Sequence, residues 1–334
     1  MKELKLVIVG FGIVGRGLAE TLLQKQSQLR EELNLKLSVS AICEAEGSLI
    51  NPRGVNLKNA LSCAKKNSFS SHKDFDKKKS LDAMSSVDCD VVLELTPGNI
   101  DSGEPGLSHV KKALDSGKHV VTSNKSPLAL AFYELNKLAL KNKVQLKYEA
   151  TVGGAIPIIR EGLALKRNNV VGGVHGILNG TTNFILDKMF EEGVEYEVAL
   201  KEAQELGIAE SDPSYDLDGI DSAAKVVILA NALMGKKVAF KDVSVEGIRE
   251  VTPESIRLAR EHGFVVKLIG DVERLEVSPR LVHKYHPLNV RGSLNAIMLK
   301  TDVAGDITFV GRGAGPRETS SALLSDILDI ASGV

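Results

Sequence analysis

Short apolar runs and longer amphipathic stretches alternate along the first half of the chain. The run LKLVIVG at positions 4–10 is apolar and rich in β-branched residues, which is typical of a strand buried on both faces. Further strands are predicted at LKLSVSAIC (35–43), DVVLEL (90–95), HVVTS (119–123) and VQLKYE (144–149). Helices are predicted between them, at RGLAETLLQKQ (16–26), near 104–116 and near 127–142. This alternation predicts an α/β fold with a parallel, doubly wound sheet.

The pattern changes at about residue 150, where glycine and other small residues become frequent. The segment VVGGVHGILNGTTNFIL (170–186) predicts a strand, a polar turn and the start of a helix. A length of 334 residues accommodates two domains. We expect one domain over 1–149, completed by a C-terminal helix over 311–334, and an α+β domain over 150–310.

Composition argues against several classes of partner. A net charge of −1 provides no basic surface for nucleic acid or for an anionic membrane. Tryptophan is absent and aromatic residues make up 4% of the chain, so stacking platforms for single-stranded nucleic acid are not expected. No apolar stretch approaches the ~20 residues that span a bilayer. The three cysteines lack metal-binding spacing and fit reduced thiols, so we expect a cytoplasmic protein that acts on a small molecule.

A glycine-rich turn joins the first predicted strand to the first predicted helix. Its residues are Gly10, Phe11, Gly12, Ile13, Val14 and Gly15. In a Rossmann-type dinucleotide site, Gly10 would permit the tight turn, Gly12 the close approach of a pyrophosphate, and Gly15 close packing of helix on strand. The helix N-terminus would supply N–H groups and partial positive charge to the phosphates. The alternative is a glycine-rich turn of an unrelated α/β fold.

The second predicted strand ends at Glu44. An acidic residue at this place accepts hydrogen bonds from the adenosine ribose and repels a 2′-phosphate, which slightly favours NAD over NADP. Arg53 and Lys58 lie shortly downstream and could offset this charge. The expected cofactor is therefore NAD or NADP.

Polar residues follow two other predicted strands of this domain. Thr96-Pro97 and Ser123-Asn124-Lys125 stand at carboxyl ends of strands, where open α/β sheets bind ligands, so we expect both segments to face the cofactor. Lys125 could instead be only a helix-capping surface lysine.

In the second half of the chain, Thr181, Thr182 and Asn183 can cap a helix. Such a helix start leaves N–H groups for an anion such as a substrate carboxylate. An ordinary N-cap is the alternative interpretation.

The segment LGIAESDPSYDLDGIDSAAK (206–225) carries five carboxylates and ends on Lys225. A helix predicted over 196–206 ends at Gly207, a plausible C-cap. Asp221 and Lys225 are four residues apart and share one helix face. A solvated acidic loop with a surface ion pair is one interpretation. The helix continues as VVILANAL, which indicates burial and favours a pocket for a small amino-bearing substrate.

Together these segments resemble the homoserine dehydrogenases. The resemblance covers nearly the whole chain and rests on the glycine fingerprint, VVTSNKSPLA, YEATVGGAIPII, GILNGTTNFIL, the 206–225 segment and GRGAG. It implies reversible NAD(P)-dependent reduction of L-aspartate 4-semialdehyde to L-homoserine, a step in threonine and methionine biosynthesis. It further implies a homodimer whose 150–310 domain binds substrate and forms the dimer. From the length of 334 residues we expect neither an aspartokinase domain nor a C-terminal regulatory domain.

The resemblance also implies roles for individual residues. Lys225 would be the general acid–base at the substrate oxygen, and Lys125 would polarise that oxygen or relay the proton between cofactor and substrate. Gly315 would lie against the cofactor. The residues implied for the substrate are Gly207, Glu210, Asp216 and Asp221, with Thr181 as the candidate at the helix start. A monovalent cation, Na⁺ or K⁺, is implied mostly on backbone carbonyls at Glu149, Val152, Gly154 and Ile156.

Two positions depart from the family pattern. Arg312 stands where the family often has a small residue or proline, which puts the local cofactor contacts in doubt. Ala45 follows Glu44 where some NADP-using relatives carry a basic residue, which again leans towards NAD. Two other functions stay open: an NAD-dependent dehydrogenase of another small amino acid, and a non-catalytic NAD(H)-sensing protein, which would not need Lys225.

Overall fold

The computed structural model describes residues 1–333. Within this range the strands are β1 (Lys2–Val9), β2 (Leu35–Glu44), β3 (Gly47–Ile50), β4 (Phe75–Asp76), β5 (Val91–Glu94), β6 (His119–Thr122), β7 (Leu146–Lys147), β8 (Val171–Ile177), β9 (Ser244–Val245), β10 (Phe264–Asp271), β11 (Glu276–His283), β12 (Leu294–Thr301) and β13 (Asp306–Arg312). The α-helices described in the same range are α1 (Ile13–Leu33), α2 (Leu57–Lys65), α3 (Ser80–Ser86), α4 (Gly106–Asp115), α5 (Lys125–Lys141), α6 (Ile158–Leu165), α7 (Gly180–Glu192), α8 (Tyr196–Glu205), α9 (Ser214–Leu217), α10 (Ile220–Leu233), α11 (Pro253–Glu261) and α12 (Pro316–Ser332). Val334, the last residue of the predicted terminal helix, lies outside the described residues.

The first compact unit comprises Met1–Thr151 and the segment from Gly315 onward. Its seven-stranded sheet has the order β4-β3-β2-β1-β5-β6-β7. Each neighbouring pair from β2 through β7 is parallel, which confirms the predicted Rossmann-type sheet. At the other edge, β3 and β4 are antiparallel additions that the sequence analysis missed. Only Ala45 and Glu46 connect β2 to β3, whereas a parallel neighbour needs a crossover of about a dozen or more residues.

The strand predicted at 144–149 is shorter than expected. Only Leu146–Lys147 pair with β6, and Glu149–Thr151 form a 3₁₀ turn instead. The backbone N–H of Glu149 donates to the Asp326 carboxylate at 2.9 Å, so a side chain of α12 takes the place of a strand partner there.

Helix α12 belongs to the core of the first unit. Leu323 and Ile327 are completely buried in the same apolar cluster as Leu18 of α1 and Ile8 of β1. A Cβ atom on Gly17 would lie 3.0 Å from the Pro316 carbonyl oxygen, so α1 and α12 touch closely at this glycine.

The second compact unit comprises Val152–Ala314. Its six-stranded sheet has the order β13-β12-β8-β10-β11-β9, antiparallel except for the short β11–β9 pair. Helix α10 is buried along its length, because every residue from Asp221 to Leu233 is buried. This confirms the burial that the apolar run after Lys225 predicts.

None of the helices described in residues 1–333 combines the length and the apolar composition that a bilayer crossing requires.

Candidate active site

The glycine-rich turn between β1 and α1 has a geometry that requires two of its glycines. Gly10 has φ +96°, and a Cβ there would lie 2.7 Å from the carbonyl group of Leu95. A Cβ on Gly15 would lie 2.2 Å from the carbonyl oxygen of Gly10. Around Gly12, by contrast, no atom from elsewhere in the described residues, apart from the adjoining backbone, lies within 4 Å of the place a Cβ would take. Neighbouring protein atoms therefore leave no room for a side chain at Gly10 or Gly15, whereas Gly12 borders open space.

The helix that follows the turn suits an anion. Helix α1 begins at Ile13, and its first turn contains no acidic residue. Ile13 is an exposed apolar side chain, with 67% of its surface accessible. Free N–H groups at such a helix start, with no carboxylate nearby in sequence, fit a pyrophosphate.

Glu44 contacts the glycine-rich turn directly. Its Oε1 accepts a hydrogen bond from the backbone N–H of Phe11. The Phe11 ring points into the core, where its centroid lies 6.2 Å from that of Phe69. Phe11 therefore orders the turn rather than presenting its ring to a ligand, and Glu44 has a structural role that the sequence analysis did not predict. A carboxylate keeps further lone pairs for a ribose hydroxyl.

The carboxyl ends of β5 and β6 carry the other residues predicted to face the cofactor. Thr96 donates its backbone N–H and its hydroxyl to Oε1 of Glu94. Asn124 caps α5, because its Oδ1 accepts from Ser126 N at 3.1 Å. Lys125 is the first residue of α5 and is partly exposed. The helix cap is thus Asn124, and Lys125 does not serve as the capping residue.

Gly315 precedes α12 in the first unit with φ +132°. L side chains rarely adopt this φ, so the position favours glycine. Its predicted contact with the cofactor remains a prediction.

In the second unit, Lys225 and Asp221 form a buried pair on α10. The Nζ atom of Lys225 donates to Oδ2 of Asp221 at 2.6 Å and to the carbonyl oxygen of Leu178 at 2.6 Å. Only 6% of Asp221 and 7% of Lys225 is exposed. The interpretation as a surface ion pair is therefore wrong, because α10 carries both groups into the interior of its unit.

Asn179 joins this pair to a second carboxylate. Its Nδ2 donates to Oδ1 of Asp216 at 2.7 Å and to Oδ2 of Asp221 at 3.0 Å. Its Oδ1 accepts from Thr182 N, so the same side chain also caps α7. Burial raises the pKa of the Asp216 carboxyl above its ordinary value, and the negative charge of Asp221 raises that pKa further. We call Asn179, Asp216, Asp221 and Lys225 the carboxylate–lysine cluster.

The cap of α7 differs from the prediction. Thr181, Thr182 and Asn183 lie inside the first turn rather than before it. The Thr181 hydroxyl donates to the Ile208 carbonyl oxygen at 3.1 Å, which ties the start of α7 to the loop after α8. Sequence reasoning missed Asn179 although asparagine is among the strongest N-cap residues and stands three positions before Thr182.

The acidic segment divides into inward and outward groups. Asp216 and Asp221 belong to the carboxylate–lysine cluster. Asp218 pairs with Arg249 at the surface, and Asp212 is exposed and accepts from Ser214 N. Glu210 is exposed on the loop that follows Gly207, whose φ of +69° fits the predicted helix end. Two of the five carboxylates therefore belong to the carboxylate–lysine cluster, and the other three lie at the surface.

The residues predicted to hold a monovalent cation fall into both compact units. Glu149 is in the first unit, whereas Val152, Gly154 and Ile156 are in the second, and all four are buried. In residues 1–333 no group of three or more His, Cys, Asp or Glu side chains could hold a metal ion. A site built mostly of backbone carbonyls needs no such group, so the cation remains a prediction.

Comparison with known proteins matches both units to one family. A family model described as "Homoserine dehydrogenase" matches residues 157–328, and one described as "Homoserine dehydrogenase, NAD binding domain" matches residues 10–149. The homoserine dehydrogenase of Methanocaldococcus jannaschii is 45% identical over 331 residues, covering 97% of this chain and 98% of its own length.

Two further relatives bear on the cofactor. An NAD⁺-dependent homoserine dehydrogenase from Pseudomonas canavaninivorans is 38% identical and covers 99% of this chain and 97% of its own. The structure of a mutant hyperthermophilic archaeal homoserine dehydrogenase in complex with NADPH superimposes with a TM-score of 0.87 at 30% identity, covering 100% of this chain and 99% of its own. NAD(P) is thus the cofactor class. The chain belongs to the homoserine dehydrogenase family of NAD(P)-dependent oxidoreductases.

Proposed function

We propose that this protein is a homoserine dehydrogenase that reversibly reduces L-aspartate 4-semialdehyde to L-homoserine in threonine and methionine biosynthesis. The observation that carries the proposal is the buried carboxylate–lysine cluster. Burying ionisable groups is costly, so a lysine and a carboxylate buried together are candidates for chemistry. The family match supports the same conclusion.

The first unit supplies the residues that fit a dinucleotide. The open side of Gly12 and the N-terminus of α1 would take the pyrophosphate, and Glu44 would take the adenosine ribose. Exposed Ile13 would cover part of the nucleotide. NAD(P), when bound, supplies a nicotinamide that exchanges a hydride with C4 of the substrate.

The second unit would hold the amino acid. Asp221 and Glu210 would bind the α-ammonium group and hydroxyl of the substrate, with backbone contacts from Gly207. Asp216 would brace this arrangement through Asn179, because Asn179 bridges Asp216 and Asp221. Thr181 and the N-terminus of α7 would face the substrate carboxylate.

Lys225 would move the proton. In the direction of reduction, its Nζ would donate a proton to the aldehyde oxygen, which becomes the hydroxyl oxygen of homoserine. In the reverse direction the neutral amine takes the hydroxyl proton. Asp221 and the Leu178 carbonyl accept two of the three Nζ hydrogens, which orients the third. Lys125 would polarise the same oxygen or relay the proton.

The decisive experiment is homoserine-dependent reduction of NAD⁺ and of NADP⁺, measured side by side in buffers with sodium or potassium. Activity with either cofactor supports the proposal. No activity in folded protein that binds NADH would contradict it, and would favour another small amino acid or a sensing role. Those two are separated by screening amino alcohols and amino acids in the same assay.

The remaining proposals concern assembly and compartment. We propose that the first unit is the NAD(P)-binding domain and the second the substrate and dimerisation domain of a homodimer. Size-exclusion chromatography with light scattering tests the dimer. All three cysteines are free, which supports a cytoplasmic location.

A further inference from the structure

A buried carboxylate that the proposed mechanism does not use lies at the end of β5. Glu94 is completely buried, and its Oε2 lies 2.7 Å from Nδ1 of His109 on α4. A carboxylate only accepts hydrogen bonds, so Nδ1 is the donor. The other ring nitrogen of His109 lies 2.6 Å from the Ser80 hydroxyl. Both nitrogens of this 4%-exposed imidazole are therefore engaged.

The second oxygen of Glu94 binds two segments predicted to face the cofactor. Oε1 accepts from the backbone N–H of Thr96 at 3.0 Å and from the Thr96 hydroxyl. It also lies 3.4 Å from Nδ2 of Asn124, the residue that caps α5. One carboxylate thus links the loop after β5 to the helix start at which Lys125 stands.

This arrangement determines what Thr96 can offer a ligand. Both of its donors point at Glu94, and its hydroxyl oxygen lies 3.4 Å from Nδ2 of Asn124, so the group that Thr96 offers a ligand is an acceptor, its carbonyl oxygen. The cluster is also closely packed. A Cβ on Gly106 would lie 2.4 Å from Nδ2 of Asn124 and 3.2 Å from Oε1 of Glu94.

We propose that Glu94 and His109 are positioning residues for the redox reaction, an inference that rests on the proposed function. Glu94 fixes Thr96 as an acceptor beside the nucleotide and fixes the Asn124 cap that sets the start of α5. His109 holds the opposite oxygen of Glu94, so the carboxylate cannot rotate away from Thr96. Ser80 holds the ring of His109 in turn.

The test compares Glu94→Gln and His109→Gln with the control His72→Gln. His72 is also buried in the first unit, and its Nδ1 accepts from Asp74 N at 3.1 Å. Each protein is measured for kcat and KM with homoserine, for NADH affinity by fluorescence titration, and for its midpoint of thermal unfolding. We expect both test variants to lose kcat on the order of 10- to 100-fold, because small displacements of reacting groups have effects of that size. The homoserine KM should stay within about threefold of the parent value.

Parent-like kcat and NADH affinity in both test variants would overturn the proposal, as would an equal loss of kcat in His72→Gln. If Glu94→Gln does not fold, His109→Gln alone decides by the same criteria. If the parent lacks homoserine activity, the proposed function fails and NADH affinity decides the inference. It should weaken by roughly 3- to 10-fold in both test variants, the effect of losing about one hydrogen bond, and not in the control. Unchanged NADH affinity in both test variants would then reject the positioning role of Glu94 and His109.

Discussion

The Nζ atom of Lys225 lies 2.6 Å from a carboxylate oxygen of Asp221, one helical turn earlier on the same buried helix. The same nitrogen donates to the carbonyl oxygen of Leu178, the first residue of the connection between β8 and α7. Lys225 is thus held by two acceptors from two different segments. Because two of its N–H groups are held by these acceptors, the third N–H group of Lys225 has a fixed orientation, as proton donation to a bound substrate requires.

We expect Lys225→Ala to lower kcat by at least about a thousandfold, because general acid–base catalysis contributes on the order of 10²- to 10⁴-fold. The affinity for NAD(P)H should be unchanged. Steady-state kinetics and fluorescence titration measure the two effects. Lys166→Ala is the matched control. Lys166 also donates to a backbone carbonyl, that of Ala232 near the other end of α10. Near-normal turnover in Lys225→Ala would reject the assigned role.

We expect Asp216→Asn to lower activity yet to stabilise the fold at neutral pH. The pKa of Asp216 is raised in the folded protein by burial and by Asp221, so folded protein binds the proton more tightly than unfolded protein. The parent's unfolding free energy therefore falls as pH rises through that raised pKa. The asparagine variant does not titrate there.

Urea unfolding of Asp216→Asn and parent between pH 3 and 8 tests this sign. The gain should be largest at the upper end and disappear at the lower end. Asp218→Asn serves as control, because Asp218 is an exposed partner of Arg249 and should change stability by less than about 1 kcal/mol. A variant that is less stable than the parent by the same amount at every pH would contradict the prediction.

We expect Glu44→Gln to raise the ratio of NADP⁺ to NAD⁺ specificity constants by about tenfold, equivalent to about 1.4 kcal/mol. The glutamine oxygen can still accept from Phe11 N, so the turn is preserved while the charge that repels a 2′-phosphate is removed. The ratio of kcat/KM values with the two cofactors measures the effect. The exposed neighbour Glu46→Gln should leave the ratio unchanged. An unchanged ratio in Glu44→Gln would place the ribose contact elsewhere.

Lys267 on β10 is a buried lysine whose effect on stability depends on pH. Its Nζ donates to Oδ1 of Asn183 at 2.9 Å and to the Val290 carbonyl oxygen at 2.8 Å, with Asp187 3.6 Å away. Burial lowers the pKa of Lys267 to about 8, against 10.5 for an ordinary lysine. Between these values the unfolded chain binds more protons than the folded one, so stability from this group rises with pH.

We therefore expect the unfolding free energy of the parent, relative to Lys267→Met, to increase by about 2 kcal/mol between pH 8 and pH 10. Denaturant titrations at several pH values measure this difference. Lys300 is exposed on β12 of the same sheet, and Lys300→Met should show no pH-dependent difference in unfolding free energy from the parent. A flat difference for Lys267→Met would mean that its ammonium group titrates at the same pH in folded and unfolded protein.

Local patterns carried much of the prediction. The sequence predicts β1 from an unbroken apolar run, as a buried parallel strand requires, and predicts β2, β5 and β6 from short β-branched stretches between helical segments. The positions of Gly10 and Gly15 were predictable because a tight turn and a close helix–strand contact exclude a side chain there. Strands β3 and β4 are too short to show any period, and so the antiparallel edge was missed.

By itself the sequence determined that Asp221 and Lys225 share a helix face, because the spacing of four follows from helix geometry alone. It also determined that this helix is apolar enough to be buried. Only the tertiary structure decided which partners meet them. Asn179 reaches Asp221 across 42 positions of the chain, and Glu94 meets His109 and Asn124 from three different elements. Such contacts depend on how strands and helices pack, and no local period of the sequence encodes them.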